Sequence, residues 1–235
     1  MDSSLLLLAV LSGYLIGSLS FARLIARALK PEQDLNQVQI HLDSGDGHRL
    51  RAVGATTASI VLGAKWGGII ALLDIIKAFV PTLIFRLIFP DQIYYLFAGA
   101  GAIAGHIWPL YHRFRGGYGL SPALGAFLVM DPLGVLVSNA LALFLGLVVL
   151  RDAVIVMVAG TWLMVLWVWL VRSDPAMIIF VLVANLLLGF AAIPELSGYF
   201  RDRRSGKVNI DEAMQKFPMG RMIQKYFLKT MKPRD

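Results

Sequence analysis

The sequence predicts an all-α integral membrane protein with about seven membrane segments, its N-terminus outside and its C-terminus in the cytoplasm. Three observations predict this fold class: the composition, the repeated apolar runs and the uneven placement of the cations. Of the 235 residues, 57% are hydrophobic and 16% are charged, whereas a soluble domain averages about 25% charged residues. A chain this apolar cannot bury its side chains in one soluble core, so we expect it to lie in a lipid bilayer.

Seven apolar runs have lengths or positions that suit membrane segments. They lie at approximately Ser4–Leu24, Gly68–Phe89, Tyr94–Leu110, Leu120–Met130, Leu133–Leu150, Ala153–Val171 and Pro175–Ile193. The first run lacks the positive n-region and the cleavage site of a signal peptide, so we interpret it as a retained helix. The fourth run is short and stops at MDPLG, so it either spans obliquely or re-enters the membrane.

The cations fall almost entirely on one side when the segments alternate from an outer N-terminus. Of the 22 Lys and Arg residues, Arg86 and Arg172 then lie outside and Lys77 lies within a segment, while the others face the cytoplasm. This asymmetry indicates the proposed orientation and a multi-pass membrane protein. The net charge of +7 fits loops that face anionic lipid, and no basic run interleaved with aromatic residues suggests a nucleic-acid partner.

Two domains are predicted, a membrane domain over residues 1–193 and a basic cytoplasmic tail over residues 194–235. The end of the tail alternates apolar and basic residues, which is typical either of an amphipathic helix on the inner leaflet or of a frayed basic tail. The chain has no cysteine and four scattered histidines, so we expect no disulfide and no metal site.

Asp74 and Lys77 are the charged residues that fall deepest within an apolar run. Their spacing of three residues places them on one face of a helix, where they can pair. A charge in the membrane is costly, so these residues either form a structural ion pair or line a polar site. His106 lies near the cytoplasmic end of the third run, where a histidine is more often structural than catalytic.

Two glycine-rich stretches are candidates for binding a phosphate group. The first, RAVGATTAS, places Gly54 and Thr56 at the start of an apolar helix, whose free N–H groups and dipole favour an anion. The second, RFRGGYGL, follows Arg113 and Arg115 with glycines at three of the next four positions. Either motif alone is a weak signal.

Taken in order, SGYLIGSLSFARLIAR, VGATTASIVLGAKWGGIIALLDIIKAFVP and AGHIWPLYHRFRGGYGLSPALGAFL resemble the bacterial acyl-phosphate:glycerol-3-phosphate acyltransferases. The family pattern reads approximately Y-L-x-G-S, S-G-N-x-G-A-T-N, D-x-x-K-G and G-H-x-x-P-x-x-x-x-F-x-G-G-K-G. The resemblance covers residues 12–128 and implies an integral inner-membrane enzyme with its motifs in cytoplasmic loops. Such an enzyme moves an acyl group from acyl phosphate to the 1-hydroxyl of glycerol 3-phosphate, giving lysophosphatidic acid without a cofactor. Its partners are acyl phosphate, glycerol 3-phosphate and membrane lipid.

Several polar positions of the family pattern are replaced. Tyr118 stands where the pattern has the lysine of Gly-Gly-Lys-Gly, and the Ser-Gly-Asn triplet falls on Leu50, Arg51 and Ala52. The upstream triplet Ser44-Gly45-Asp46 resembles Ser-Gly-Asn, although an ordinary polar loop explains it as well. The pattern's third motif, a C-terminal R-H-x-x-N-I-x-R-L, has no clear counterpart here.

The resemblance nevertheless suggests a set of candidate residues. The catalytic candidates are Ser44, Asp46 and His106, and no metal ligand is expected. The candidates for binding a substrate phosphate are Arg51, Gly54, Thr56, Arg115, Gly116, Gly117 and Gly119. Asp74 and Lys77 are structural or line the site.

Two other functions remain open at this point. A catalytically impaired paralogue would keep the scaffold and bind phosphate-bearing lipid precursors or a partner protein. A transporter would need a polar path across the membrane, and the sequence has no internal repeat to suggest one.

Overall fold

The computed structural model describes residues 1–41, 47–49, 52–150 and 153–204. At positions 39–41, 47–49, 147, 153–157 and 194–204 it describes the backbone alone. Three of the candidate site residues, Ser44, Asp46 and Arg51, lie outside the described residues, as does the tail from residue 205 onward.

The described chain is built from nine α-helices joined by short connections. They are α1 Ser3–Gly17, α2 Phe21–Leu29, α3 Ala55–Leu62, α4 Ala64–Ile88, α5 Tyr94–Ile107, α6 Leu120–Met130, α7 Pro132–Phe144, α8 Ala153–Trp167 and α9 Pro175–Arg204. Helix α7 is extended by a π-helical turn over Leu145–Val149, and α8 by another over Val168–Arg172. Helix α5 is central, since it packs against α1, α4, α6 and α9.

The prediction of a helical membrane protein is confirmed in its main feature. Three helical stretches in the described residues are long and apolar enough to cross a membrane: Ser3–Leu29, Ala64–Ile88 and Pro175–Ile193. The all-α prediction needs one correction, because β1 (Gln39–His41) and β2 (Gly47–Arg49) pair as a small antiparallel ribbon. This ribbon lies in the long polar connection between α2 and α3, where Val38, Ile40 and Leu42 alternate with polar residues, a pattern typical of a strand.

The first apolar run is broken and not one continuous helix as predicted from Ser4 to Leu24. Helix α1 ends at Gly17 and α2 begins at Phe21. At the break, the hydroxyl of Ser18 donates to the carbonyl of Tyr14 (2.8 Å), and the backbone N–H of Leu110 donates to that same hydroxyl (3.2 Å). The break also frees the carbonyl of Leu19 from the helix, and this carbonyl becomes part of the candidate site.

The seventh apolar run is also longer than predicted. Helix α9 continues past Ile193 to Arg204, so the boundary placed between residues 193 and 194 falls within a continuous helix. The division into a membrane domain and a basic tail stays a prediction.

Helices α1 and α5 pack so closely that their contact is made by glycines. Each helix carries two glycines four residues apart, a spacing that lets helix backbones approach within a membrane. A Cβ atom added at any of these positions would collide with a backbone carbonyl oxygen of the facing helix. The four residues are Gly13, Gly17, Gly101 and Gly105.

We expect Gly101→Ala to destabilise the protein by about 1–3 kcal/mol, because the new methyl group would press on the carbonyl of Val10 and force α1 and α5 apart. The matched control is Gly68→Ala on α4, where a Cβ meets nothing within 4 Å. The control should be neutral or stabilising by up to about 1 kcal/mol, since alanine favours the helix. Thermal unfolding in detergent measures both variants, and equal stability of the two would contradict this packing.

A buried carboxylate joins α6, α7 and the end of the α8 segment. Asp131 is fully buried between α6 and α7 and accepts hydrogen bonds from Arg172 Nε (2.6 Å), Trp167 Nε1 (2.9 Å) and the N–H of Gly134 (3.0 Å). Burial raises the pKa of Asp131, but these hydrogen bonds outweigh burial and lower its pKa to about 2. The carboxylate therefore stays charged and fixes the connection between α6 and α7.

We expect Asp131→Asn to cost about 1–3 kcal/mol of stability at neutral pH, a range limited by the partial exposure of Arg172. The pKa of Asp131 is lower in the folded state than in the unfolded chain, so its contribution is complete above pH about 4. That contribution should fade as the pH falls towards 2. The stability difference between wild type and variant should therefore shrink over this range, and a difference independent of pH would contradict the assignment.

Candidate functional site

A small cavity lies where the α1–α2 break, the start of α3, the middle of α4 and the end of α5 meet. The loop after α5 closes it. Its lining residues come from five separate parts of the chain: Gly17, Leu19, Ser20, Ala22, Val53, Gly54, Asp74, Lys77, His106, Pro109 and Gly116.

Asp74 and Lys77 form the buried ion pair that their spacing predicts. Lys77 Nζ lies 2.8 Å from Asp74 Oδ1, and both side chains are almost completely buried. Lys77 Nζ also donates to the freed carbonyl of Leu19 (2.6 Å). The contacts with Asp74 and Leu19 hold the ammonium between α4 and the α1–α2 break, and both charged side chains line the cavity as well as pairing with each other.

His106 lies between this ion pair and the glycine-rich segments. Its Nδ1 is 3.6 Å from Asp74 Oδ1, and the residue is 8% exposed. Its Nε2 points towards two glycines, because Cβ atoms built on Gly54 and Gly117 would both meet this nitrogen. A histidine held between a carboxylate and an opening can exchange a proton with a group on its far side.

The glycine-rich loop wraps closely around the end of α5. It turns through Arg113 and Phe114, which have left-handed backbone conformations. The N–H of Gly117 then donates to the carbonyl of His106 (3.2 Å). A Cβ at Gly116 would collide with that carbonyl, and a Cβ at Gly117 would collide with the imidazole. These two glycines are therefore required by close approach to His106, and one of their N–H groups is already used within the chain.

The start of α3 faces the same loop. Gly54 is the N-cap of α3, and the N–H of Val53 donates to the carbonyl of Gly116 (2.8 Å). A glycine cap has no side chain to satisfy the first-turn N–H groups, so these groups are available to an anion. Thr56 lies in that first turn and is partly buried.

Most of the candidate residues that the structure describes come together. Gly54, Gly116, His106, Asp74 and Lys77 all line the cavity. Gly117 touches the imidazole and Gly119 begins α6, while the side chain of Arg115 lies at the exposed surface of the loop. Among the described residues there is no cluster of three His, Cys, Asp or Glu side chains that could hold a metal ion.

Sequence reasoning missed two contributors, Leu19 and Arg23. The carbonyl of Leu19 is a backbone group that no side-chain pattern identifies, although Ser18 and Ser20 interrupt the apolar run on either side of it. Arg23 did give one: it is an arginine inside the first predicted membrane segment, and it received no role. Its guanidinium donates to the carbonyl of Arg115 (2.7 Å), to Asn36 Oδ1 (3.0 Å) and to Ser20 Oγ (3.3 Å).

Comparison with known proteins identifies related chains. The sequence profile described as "Glycerol-3-phosphate acyltransferase" matches residues 7–196. A protein of Bacillus anthracis named "Glycerol-3-phosphate acyltransferase 2" is 38% identical over 132 residues, which are 56% of this chain and 63% of that protein. The matched region is thus just under two thirds of that relative's length.

Two crystal structures have the same fold. Both are of PlsY, an integral membrane glycerol 3-phosphate acyltransferase, and both cover 87% of this chain and 94% of that one. The glycerol 3-phosphate form superposes with a TM-score of 0.69 at 26% identity. The lysophosphatidic acid form superposes with a TM-score of 0.67 at 25% identity.

Proposed function

Because the chain belongs to the glycerol-3-phosphate acyltransferase family, we propose that it transfers a fatty acyl group from acyl phosphate to glycerol 3-phosphate. The products are lysophosphatidic acid and phosphate. One observation carries the proposal: the Gly54 helix start and the Gly116–Gly117 loop converge on His106, behind which lie Asp74 and Lys77. This arrangement combines an anion-binding helix terminus with a histidine suited to move a proton.

The reaction needs little beyond positioning and proton transfer, since acyl phosphate is already activated. The acceptor hydroxyl oxygen forms a bond to the acyl carbonyl carbon, and the bond from that carbon to the phosphate oxygen breaks. His106 Nε2 takes the proton from the hydroxyl and returns it to the departing phosphate. Asp74, 3.6 Å from Nδ1, orients the imidazole and stabilises its positive charge. Lys77 contributes a fixed positive charge near the developing negative charge on the carbonyl oxygen.

The substrate phosphates are assigned to the first-turn N–H groups of α3 and to the cytoplasmic loop. Gly54 and Thr56 supply the helix start, and Arg115 supplies a cation beside Gly116, Gly117 and Gly119. Ser44, Asp46 and Arg51 belong to the connection that leads into α3, and we keep them as candidates for the same site. Ser44 and Asp46 stand in for the Ser-Gly-Asn triplet of the family pattern.

The proposed topology has seven membrane segments in the bacterial inner membrane, with the N-terminus outside and the site open to the cytoplasm. Two contacts support it. Arg86 donates to the carbonyl of Met130 (3.1 Å) and Arg172 pairs with Asp131, so both cations assigned to the outer side meet at the end of α6. Helix α6 starts beside the site, directly after Gly119, and rises about 16 Å over its 11 residues, which supports a short fourth segment between the site and the outer side.

We expect a cysteine at position 3 to react with a membrane-impermeant thiol reagent added outside intact cells, and a cysteine at position 230 to react only after the membrane is opened. The wild-type chain is a clean background because it contains no cysteine. The reverse labelling pattern would overturn the topology. It would also remove the proposal that residues 194–235 form a basic cytoplasmic tail.

The function is tested with the full chain purified in detergent, supplied with acyl phosphate and glycerol 3-phosphate, and assayed for both phosphate and lysophosphatidic acid. We expect both products in equal amounts. Phosphate without lysophosphatidic acid would indicate hydrolysis only. Calorimetry with glycerol 3-phosphate alone addresses the second candidate, an impaired paralogue, which the replacement of the family lysine by Tyr118 favours. Binding without turnover would support that candidate, and absence of both would overturn the two proposals together.

A further inference from the structure

We propose that Arg23 supplies the cation that binds the phosphate of the substrate, in the place of the lysine that the family pattern has at Tyr118. This inference rests on the proposed function, because it assigns a residue to the same site. It concerns a position that the motif comparison leaves without a role.

The guanidinium of Arg23 is held at the edge of the cavity by three separate segments. It donates to the carbonyl of Arg115 in the glycine-rich loop, to Asn36 in the connection after α2, and to Ser20 at the α1–α2 break. Ser20 itself lines the cavity. The distance of 3.3 Å from Arg23 Nη1 to Ser20 Oγ therefore places the cation within hydrogen-bond range of the cavity wall.

Those contacts fix the guanidinium without using up its donors. An arginine side chain has five N–H donors, and the described contacts use one on Nη1 and two on Nη2. The remaining donors, one on Nε and one on Nη1, point from different edges of the planar guanidinium, so a phosphate can accept from either of them while it contacts the fixed positive charge. A cation held in this way loses little conformational freedom on binding.

The charge balance around the cavity also favours an anion. Arg23, Lys77 and Arg115 bring three positive charges to this side of the protein. Asp74 is the described carboxylate that lines the cavity, and it is already paired with Lys77. Asp34 interacts with the charge of Arg23 and accepts hydrogen bonds from the backbone N–H and side chain of Asn36. Among the described residues the three cations outnumber these two carboxylates, and the excess of positive charge favours the binding of a phosphate.

The position of Arg23 relative to the glycine-rich loop explains how it replaces a lysine from that loop. Its guanidinium reaches the carbonyl of Arg115, three residues before Tyr118. A lysine in the Gly-Gly-Lys-Gly pattern would project its ammonium from the loop, whereas Arg23 brings a guanidinium to the loop from α2. Purely structural bridging of Arg115, Asn36 and Ser20 would need donors and no charge, and glutamine could supply part of it.

The test compares Arg23→Gln with Arg27→Gln, which removes an exposed arginine one turn further along α2. Glycerol 3-phosphate binding to the full chain in detergent is measured by calorimetry, and KM and kcat are measured with acyl phosphate. We expect Arg23→Gln to weaken glycerol 3-phosphate binding at least tenfold and to raise its KM more than it lowers kcat. Arg27→Gln should bind as the wild type does, and Arg23→Lys should recover part of the affinity.

A double variant makes the replacement itself testable. Tyr118→Lys introduced into Arg23→Gln should restore binding, because it returns the cation to the position that the family pattern uses. Wild-type affinity in Arg23→Gln would overturn the inference while leaving the proposed function intact. Lower thermal stability of Arg23→Gln with unchanged affinity would assign Arg23 a structural role and overturn the inference equally. If Arg23→Gln does not fold, Arg23→Lys and Arg23→Met are compared instead. Equal affinity of these two variants for glycerol 3-phosphate would overturn the inference. Absence of binding by the wild type would overturn the proposed function first.

Discussion

Lys77→Met will destabilise the protein by about 3–5 kcal/mol, because it leaves the carboxylate of Asp74 buried without its cation. Asp74→Asn will have a similar cost, since it leaves a buried ammonium whose remaining described partners are the carbonyl of Leu19 and the ring of Phe21. The double variant will cost less than the sum of the two single variants, because neither charge is then left unpaired.

The measurement is thermal or denaturant unfolding in detergent of the wild type, both single variants and the double variant. Lys65→Met is the matched control, since Lys65 lies at the exposed start of the same helix and should change stability by less than about 0.5 kcal/mol. Costs that add up in the double variant would show that the two residues act independently. All three variants should also lose acyl transfer, because both side chains line the cavity.

Gly117→Ala will reduce acyl transfer about 100-fold or more, although it adds a single methyl group. The added Cβ would collide with Nε2 of His106, the nitrogen assigned to take the proton from the acceptor hydroxyl. The imidazole would have to turn, and its 3.6 Å contact with Asp74 would be lost. Rates of lysophosphatidic acid formation at saturating acyl phosphate measure the effect.

Gly68→Ala serves again as the control, because a methyl group there meets open space. Unfolding temperatures separate a local effect from a global one. If Gly117→Ala retains both the wild-type rate and the wild-type stability, His106 does not lie against this glycine. A loss of rate without a large loss of stability is the expected result.

The helical membrane fold could be predicted from the sequence because backbone N–H and C=O groups in lipid must be paired within each segment, which a helix achieves. Long apolar runs between polar connections are a strong signal, and the cations of the loops give a direction to them. The spacing of Asp74 and Lys77 predicted their pairing because residues three apart lie on the same face of a helix, and an unpaired charge in the membrane is costly. The motif order around Gly54, His106 and Gly116 predicted which connections would meet.

The remaining features depend on long-range contacts that local patterns do not encode. The break after Gly17 follows from what Ser18 and Leu19 contact in α4 and in the loop after α5, and Gly17, Ser18 and Ser20 are only a weak local signal for it. The glycines of the loop were interpreted as a source of N–H groups. In the structure these glycines are required because they have no side chain, which allows the loop backbone to pass directly against His106. The contacts of Arg23 with Arg115 and Asn36 join segments that are distant in the sequence, so no local pattern identifies them.

The contact between α1 and α5 implies very different tolerance to mutation on the two sides of α1. On the side that meets α5, the smallest possible side chain is already present at Gly13 and Gly17, so every substitution adds volume where a carbonyl lies. On the opposite side, Leu7, Leu8 and Leu11 are exposed to the surroundings of the protein and can exchange with other apolar residues at little cost. When a library of single substitutions is selected for function, we expect the two glycines to remain unchanged and the three leucines to be replaced by other apolar residues. The face of α1 that meets α5 should therefore tolerate few substitutions, whereas its opposite face should tolerate many apolar ones.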